Sequence, residues 1–176
     1  MRVIAGEFRS RRLKSIPGLA TRPTPDRLRE TLFDILAPRI PGATFLDAYA
    51  GTGAVGIEAL SRGASHAWFL ERGHAALVTL RANIQALGVE ARATIVTGPV
   101  AITLPRYGAD IVFLDPPYEQ AGEYALALAA LADNPPLLVV VQHSKRFALA
   151  DAHGPLIRTR LLQQGDNALS FFAPAG

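Results

Sequence analysis

From Ala43 to Gln142 short apolar runs alternate with segments of helical period, and this alternation limits the possible folds more than any other feature. The spacing predicts strands over 44–48, 66–71, 92–97, 109–114 and 137–142. Helices are predicted over 54–62, 73–87 and 121–132, with a short one near 99–104. Repeated strand–helix–strand units fold as a parallel sheet with helices on both faces. The end of the chain departs from this rhythm. Leu156 to Gln163 and Ala168 to Ala173 flank Gln164-Gly165-Asp166-Asn167, which predicts a terminal antiparallel hairpin closing the sheet.

The front of the chain reads as an extension of that unit, with residues 1–40 preceding a main domain of 41–176. Met1 to Ala5 and Leu13 to Ile16 are strand candidates, so a small β-hairpin is expected there. Its tip carries Arg9, Arg11, Arg12 and Lys14. Thr24 is placed to cap a helix whose first residue is Pro25, with Asp26 in the first turn. Leu28, Leu32, Phe33, Ile35 and Leu36 form its apolar face, and Pro38 ends it. Residues 1–40 carry a net charge of +5 and the remainder −2. A cationic front end suits a polyanionic partner, so the four basic residues are candidate nucleic-acid contacts, although charge runs are commonly just solvated.

Totals exclude several chemistries. There is no cysteine, which rules out disulfides, cysteine metal ligands and thiol catalysis. The four histidines have no metal-ligand spacing, and no G-x-S-x-G or H-E-x-x-H occurs. His143 ends the last parallel strand near the expected cleft, whereas Trp68 reads as packing. No apolar run is long enough to span a bilayer, and no signal peptide is visible, so a cytoplasmic protein without membrane contact is expected.

Two stretches carry chemistry. The first is Asp115-Pro116-Pro117-Tyr118, directly after the apolar run 109–114. Asp115 and Pro116 each precede a proline and are pushed towards extended geometry. The Asp115 carboxylate and the Pro116 carbonyl then form a rigid pair of acceptors for the two N–H donors of an exocyclic amine. Tyr118 adds a face on which a base can stack. The plainer reading is a turn after a strand.

The second is Asp47 through Gly56, in which Gly51, Gly53 and Gly56 form a G-x-G-x-x-G pattern. Alone, that pattern equally describes a dinucleotide site or tight strand–helix packing. Asp47 at the end of the preceding strand suits a ligand with a cationic part better than a pyrophosphate. Glu71, at the end of the next strand, can accept ribose hydroxyls. Acid, glycine loop and ribose acid together describe S-adenosylmethionine.

Asp47 to Gly53 with Asp115 to Tyr118 resembles the class I methyltransferases that act on exocyclic amines. The match extends further. Ile4-Ala5-Gly6, the arginines at 9, 11 and 12, Thr21-Arg22-Pro23-Thr24 and Glu58 to Ala64 are similar to the RsmD family. So is Gly165 to Phe171. This resemblance implies an α/β, Rossmann-like class I methyltransferase fold and transfer from S-adenosylmethionine to the N2 amine of a guanine in small-subunit (16S) ribosomal RNA, naked or in a ribosomal particle. It implies that Asp47, Gly51 and Gly53 hold the methionine part with Arg22 and Thr24, and that Glu71 holds the ribose. Asp115, Pro116 and Tyr118 would handle the target base, and Arg9, Arg11, Arg12 and Lys14 would meet RNA. No metal and no second subunit are called for. Three departures stand out. The acid commonly found after the third strand, where it meets the adenine amine, is replaced by Gly98-Pro99. Gln142 stands where glutamate is usual, and Tyr49 where phenylalanine is commoner. A DNA adenine or cytosine amine methyltransferase is the nearest alternative; a non-catalytic RNA-binding module that kept the fold is another.

Overall fold

The strand–helix alternation is realised as a single sheet. The computed structural model of the protein describes residues 1–18, 24–117 and 120–176. Helix α1 spans Asp26–Leu36 and precedes strand β1, Thr44–Asp47. Then come α2 (Ala54–Ser61), β2 (His66–Leu70), α3 (His74–Leu87), β3 (Ala93–Val96) and the single turn α4 (Val100–Thr103). β4 (Ile111–Leu114), α5 (Gly122–Ala132) and β5 (Leu138–Ser144) complete the alternating part. A two-residue strand β6 (Ala152–His153), which no sequence signal marked, leads into the hairpin of β7 (Leu156–Gln164) and β8 (Asn167–Pro174).

Among the described residues the sheet has eight strands in the order β3-β2-β1-β4-β5-β8-β7-β6. The first five are parallel and the last three pair antiparallel. Alternation along the central strands divides the core. Phe45, Ile111, Phe113 and Val140 face α1, α2 and α3. Leu46, Val112, Leu114 and Val141 face α4 and α5. Both faces of these strands are covered, which explains their unbroken apolar runs.

The front segment shares the first of these cores through Val3, Phe8, Leu13, Leu32 and Phe33. The expected hairpin is reduced to one antiparallel bridge, Arg2 to Arg12. The reason is a tertiary contact. Glu58 on α2 accepts from the N–H groups of Ile4 (2.9 Å) and Ala5 (3.0 Å), so these donors are spent on a carboxylate rather than on a partner strand. Ser61 adds bonds from the Phe8 N–H and to the Ala5 carbonyl. Gly6 lies so close that a Cβ there would overlap the Ser61 carbonyl, and its φ of +85° is one that side chains rarely adopt. The expected Thr24 cap is not formed either. α1 begins at Asp26 with no side-chain cap, and the Thr24 hydroxyl instead donates to Gln142 Oε1 at 3.0 Å.

Candidate active site

Parallel strands splay their connections apart where the strand order reverses, leaving a crevice at their carboxyl ends. Here that point lies between β1 and β4. A cleft of about 910 Å³ opens there. Asp47 ends β1, Glu71 follows β2 and Asp115 follows β4, and all three line the cleft. Ile16 and Thr24 of the front segment form part of one wall.

Each carboxylate is held differently. Asp47 is buried, and its Oδ2 accepts from the Gly56 N–H at 3.0 Å, near the start of α2. Burial raises its carboxyl to about 7; the Gly56 N–H opposes this, and the Glu71 charge adds to it. Burial also raises Asp115 to about 7, helped by the negative charge of Asp47. Glu71 Oε1 accepts from Gly51 N–H at 2.8 Å, while Oε2 accepts from Arg72 and Gly73 N–H at 3.0 and 2.8 Å. A carboxylate has roughly four acceptor positions, so Glu71 keeps about one, on Oε1, for a hydroxyl. Its remaining work is to pin the Gly51 loop to the end of β2.

The three glycines have separate causes. Gly51 lines the cleft at φ +56°, and a Cβ there would meet nothing within 4 Å. Gly53 does not face the cleft. Its φ is +87° and an added Cβ would come within 2.5 Å of Leu80, so packing against α3 selects it. Gly56 is selected the same way by the Phe69 ring at 2.4 Å. Of the glycines assigned to the cofactor, Gly51 is the one the cleft contains. Pro116 and Pro117 line the cleft beside Asp115. Arg22 and Tyr118 lie outside the described residues. Arg9, Arg11, Arg12 and Lys14 are exposed on the front segment, and Arg11 Nη2 donates to the Ala86 carbonyl. His143 does not reach the cleft. It is buried, with Nε2 at 2.7 Å from Ser170 Oγ and Nδ1 at 2.8 Å from the Ser144 carbonyl. Trp68 packs between His66 and Tyr107.

One pair in the cleft had no sequence signal. Tyr49 donates its hydroxyl to Glu123 Oε2 at 2.9 Å, joining the loop after β1 to the first turn of α5. Burial first, and the carboxylate partner second, push the Tyr49 hydroxyl strongly upward, so it remains protonated and a donor. The two residues are 74 positions apart, beyond any local spacing rule.

The donor set fits a cationic ligand with a sugar. Four carboxylates line the cleft, those of Asp47, Glu71, Asp115 and Glu123; burial raises two of them, Asp47 and Asp115, to about 7, and the Gly51 turn leaves room for close approach. S-adenosylmethionine has that cationic part, and its ribose suits Glu71. Sheet order, acid–glycine loop and acid–Pro–Pro element at the switch point together define a class I methyltransferase.

Comparison with known proteins narrows the class. The family model described as "Conserved hypothetical protein 95" matches residues 1–173. The ribosomal RNA small subunit methyltransferase D of Escherichia coli K12 is 41% identical over 136 residues, covering 76% of this chain and 68% of that protein. The Bacillus subtilis protein YlbH is 33% identical over 186 residues, covering the whole of both. The solved structure of Escherichia coli yhhF superposes with a TM-score of 0.86 at 32% identity, covering all of this chain and 98% of that one. The chain belongs to this family, the RsmD-type S-adenosylmethionine-dependent methyltransferases.

Proposed function

We propose that the protein methylates the exocyclic N2 amine of a guanine in small-subunit ribosomal RNA. The observation that carries this reading is the placement of Asp115-Pro116 across the switch point from Asp47, within one cleft. The substrate class draws on the relatives named for small-subunit rRNA methylation.

A guanine N2 amine is a poor nucleophile because its lone pair is delocalised into the ring. The bound cofactor supplies an electrophilic methyl group on a sulfonium. The chain's contribution is alignment and exclusion of water. Asp115 and the Pro116 carbonyl accept hydrogen bonds from the two amine N–H groups, which directs the nitrogen lone pair towards the methyl, and the ionised Asp115 takes the one proton the amine must lose. For this Asp115 must be ionised, and a cationic neighbour in the cleft favours that form. Tyr118 stacks on the base, which must leave its helical stack to enter. The methionine part is assigned to Asp47 and the Gly51 loop, with Thr24 on the adjoining wall, and Arg22 is assigned to the same ligand by the family resemblance. Arg9, Arg11, Arg12 and Lys14 meet phosphates. In this reading the protein acts as a cytoplasmic monomer, with residues 1–40 serving the RNA and 41–176 the chemistry. No described helix is long and apolar enough to cross a membrane.

The test is mass mapping of modified guanines in small-subunit RNA from cells with and without the protein. One N2-methylguanine should disappear without it and return on complementation. Asp115→Ala should fail to restore it, with transfer down about a thousandfold and cofactor binding retained by calorimetry. An unchanged guanine map, or full activity of Asp115→Ala, would overturn the reading.

A further inference from the structure

The end of β3 contributes no acidic side chain to the cleft. Pro99 has no N–H, and its carbonyl already accepts from Ile102 N–H, Thr103 N–H and the Thr103 hydroxyl at 2.7–3.2 Å. Yet this end of the cleft carries apolar surface. Ile102 on α4 is 60% exposed and Leu126 on α5 is 56% exposed, and both line the cleft. Large apolar side chains left open inside a cleft are ligand surface rather than solvent surface. Glu123 lies one helical turn before Leu126, so the two share a face of α5. Tyr49 holds Glu123 Oε2, leaving Oε1 as an acceptor that lines the same cleft.

We propose that Glu123, anchored by Tyr49, accepts the N6 amine of the cofactor's adenine between Ile102 and Leu126, an acid relocated from the β3 loop to α5. This rests on the cofactor reading above. The position favours adenine over the target guanine. α4 follows β3, next to the strand that ends before Glu71, and packs against α5, so Ile102 forms the side of the slot towards β3. Asp115 lies beyond β1, after β4. A base joined to a ribose at Glu71 therefore enters the slot from its Ile102 side. Tyr49 is a positioning residue. Its hydroxyl fixes the carboxylate rotamer, and phenylalanine there would leave Glu123 free to turn to solvent.

The experiment is calorimetry without RNA, using S-adenosylhomocysteine and its analogue lacking the 6-amino group. A hydrogen bond to a charged acceptor is worth roughly ten- to a hundredfold in affinity. The unsubstituted protein should bind the adenine ligand at least about tenfold more tightly than the analogue. Glu123→Ala should bring the ratio to about one, and Tyr49→Phe should reduce it to an intermediate value. Thermal unfolding of each variant reports whether the fold is kept. Equal binding of the two ligands by the unsubstituted protein, or an unchanged ratio in Glu123→Ala, would overturn the assignment alone. Loss of RNA methylation in Glu123→Ala with cofactor affinity intact would place the carboxylate on the target base and also overturn it. No binding of either ligand would take the cofactor reading down with it.

Discussion

Two buried carboxylates, Glu58 on α2 and Asp47 at the end of β1, accept main-chain N–H groups and end in opposite roles. Glu58 faces the front segment. Its oxygens take Ile4 and Ala5 N–H, and Arg62 Nε donates to it at 2.9 Å. Asp47 faces the cleft. It takes one N–H, from Gly56, and its charged neighbours Glu71 and Asp115 are anions. Burying a carboxylate is tolerable when a counter-charge and donors surround it. Glu58 is complete by that measure and fastens structure. Asp47 is incomplete until a cation arrives, and that deficit marks a site. Burial alone does not distinguish the two; the local charge balance does.

The largest effect should come from removing the complete one. Glu58→Ala strips two main-chain donors and Arg62 of their partner in the interior. A loss of about 3–5 kcal/mol is expected for a buried pair broken this way, read as a lower denaturation midpoint. Glu58→Gln, which keeps one carbonyl oxygen, should fall between. Stability unchanged in Glu58→Ala would mean that the packing of Val3, Phe8 and Leu13 and the Ser61 bonds hold the front segment without Glu58.

Asp47→Asn makes the opposite prediction. The amide oxygen still accepts from Gly56, while a buried uncompensated charge is removed. Thermal stability of the cofactor-free protein at pH 8 should hold or rise. Affinity for S-adenosylmethionine should drop at least about thirtyfold, near 2 kcal/mol, because a direct anion–cation contact is gone. Unfolding comparable to that of Glu58→Ala would erase the distinction between the two acids.

What the sequence made legible follows the same line. The parallel sheet, its terminal hairpin and the acids at strand ends were readable because strand period and strand termini are local signals. Asp47, Glu71 and Asp115 were found by position after apolar runs. Glycines were over-read: Gly53 and Gly56 answer to Leu80 and Phe69, and the pattern alone cannot say which side of the backbone is crowded. The front hairpin stays at one bridge because the Ile4 and Ala5 donors are claimed by Glu58, more than fifty residues away. The Thr24 cap failed because Gln142 competes for the hydroxyl. The Tyr49–Glu123 pair was invisible for the same reason. The last three of these are each a side-chain bond formed only after the chain has closed on itself.

The smallest effect is a pH dependence that tests the charge deficit directly. In the cofactor-free protein Asp47 and Asp115 are raised to about 7 from an ordinary 3.8. The folded protein therefore holds protons that the unfolded chain releases between about pH 4 and pH 7. Their contribution to stability is fully present below about pH 4 and is lost as pH rises through about 7. Cofactor affinity should run the other way, since a cation selects the ionised forms. Each carboxyl that must ionise costs up to about tenfold per pH unit below 7. Between pH 8 and pH 6 the dissociation constant should weaken by up to about tenfold for each of the two carboxyls that must ionise, with protons released on binding, measurable by calorimetry in buffers of different ionisation enthalpy. Asp47→Asn removes one of the two groups and should flatten the slope. A constant affinity from pH 6 to pH 8 would mean that the cleft acids are already ionised without a ligand. Asp47 would then be as well compensated as Glu58, and the charge-balance criterion would fail in the protein that suggested it.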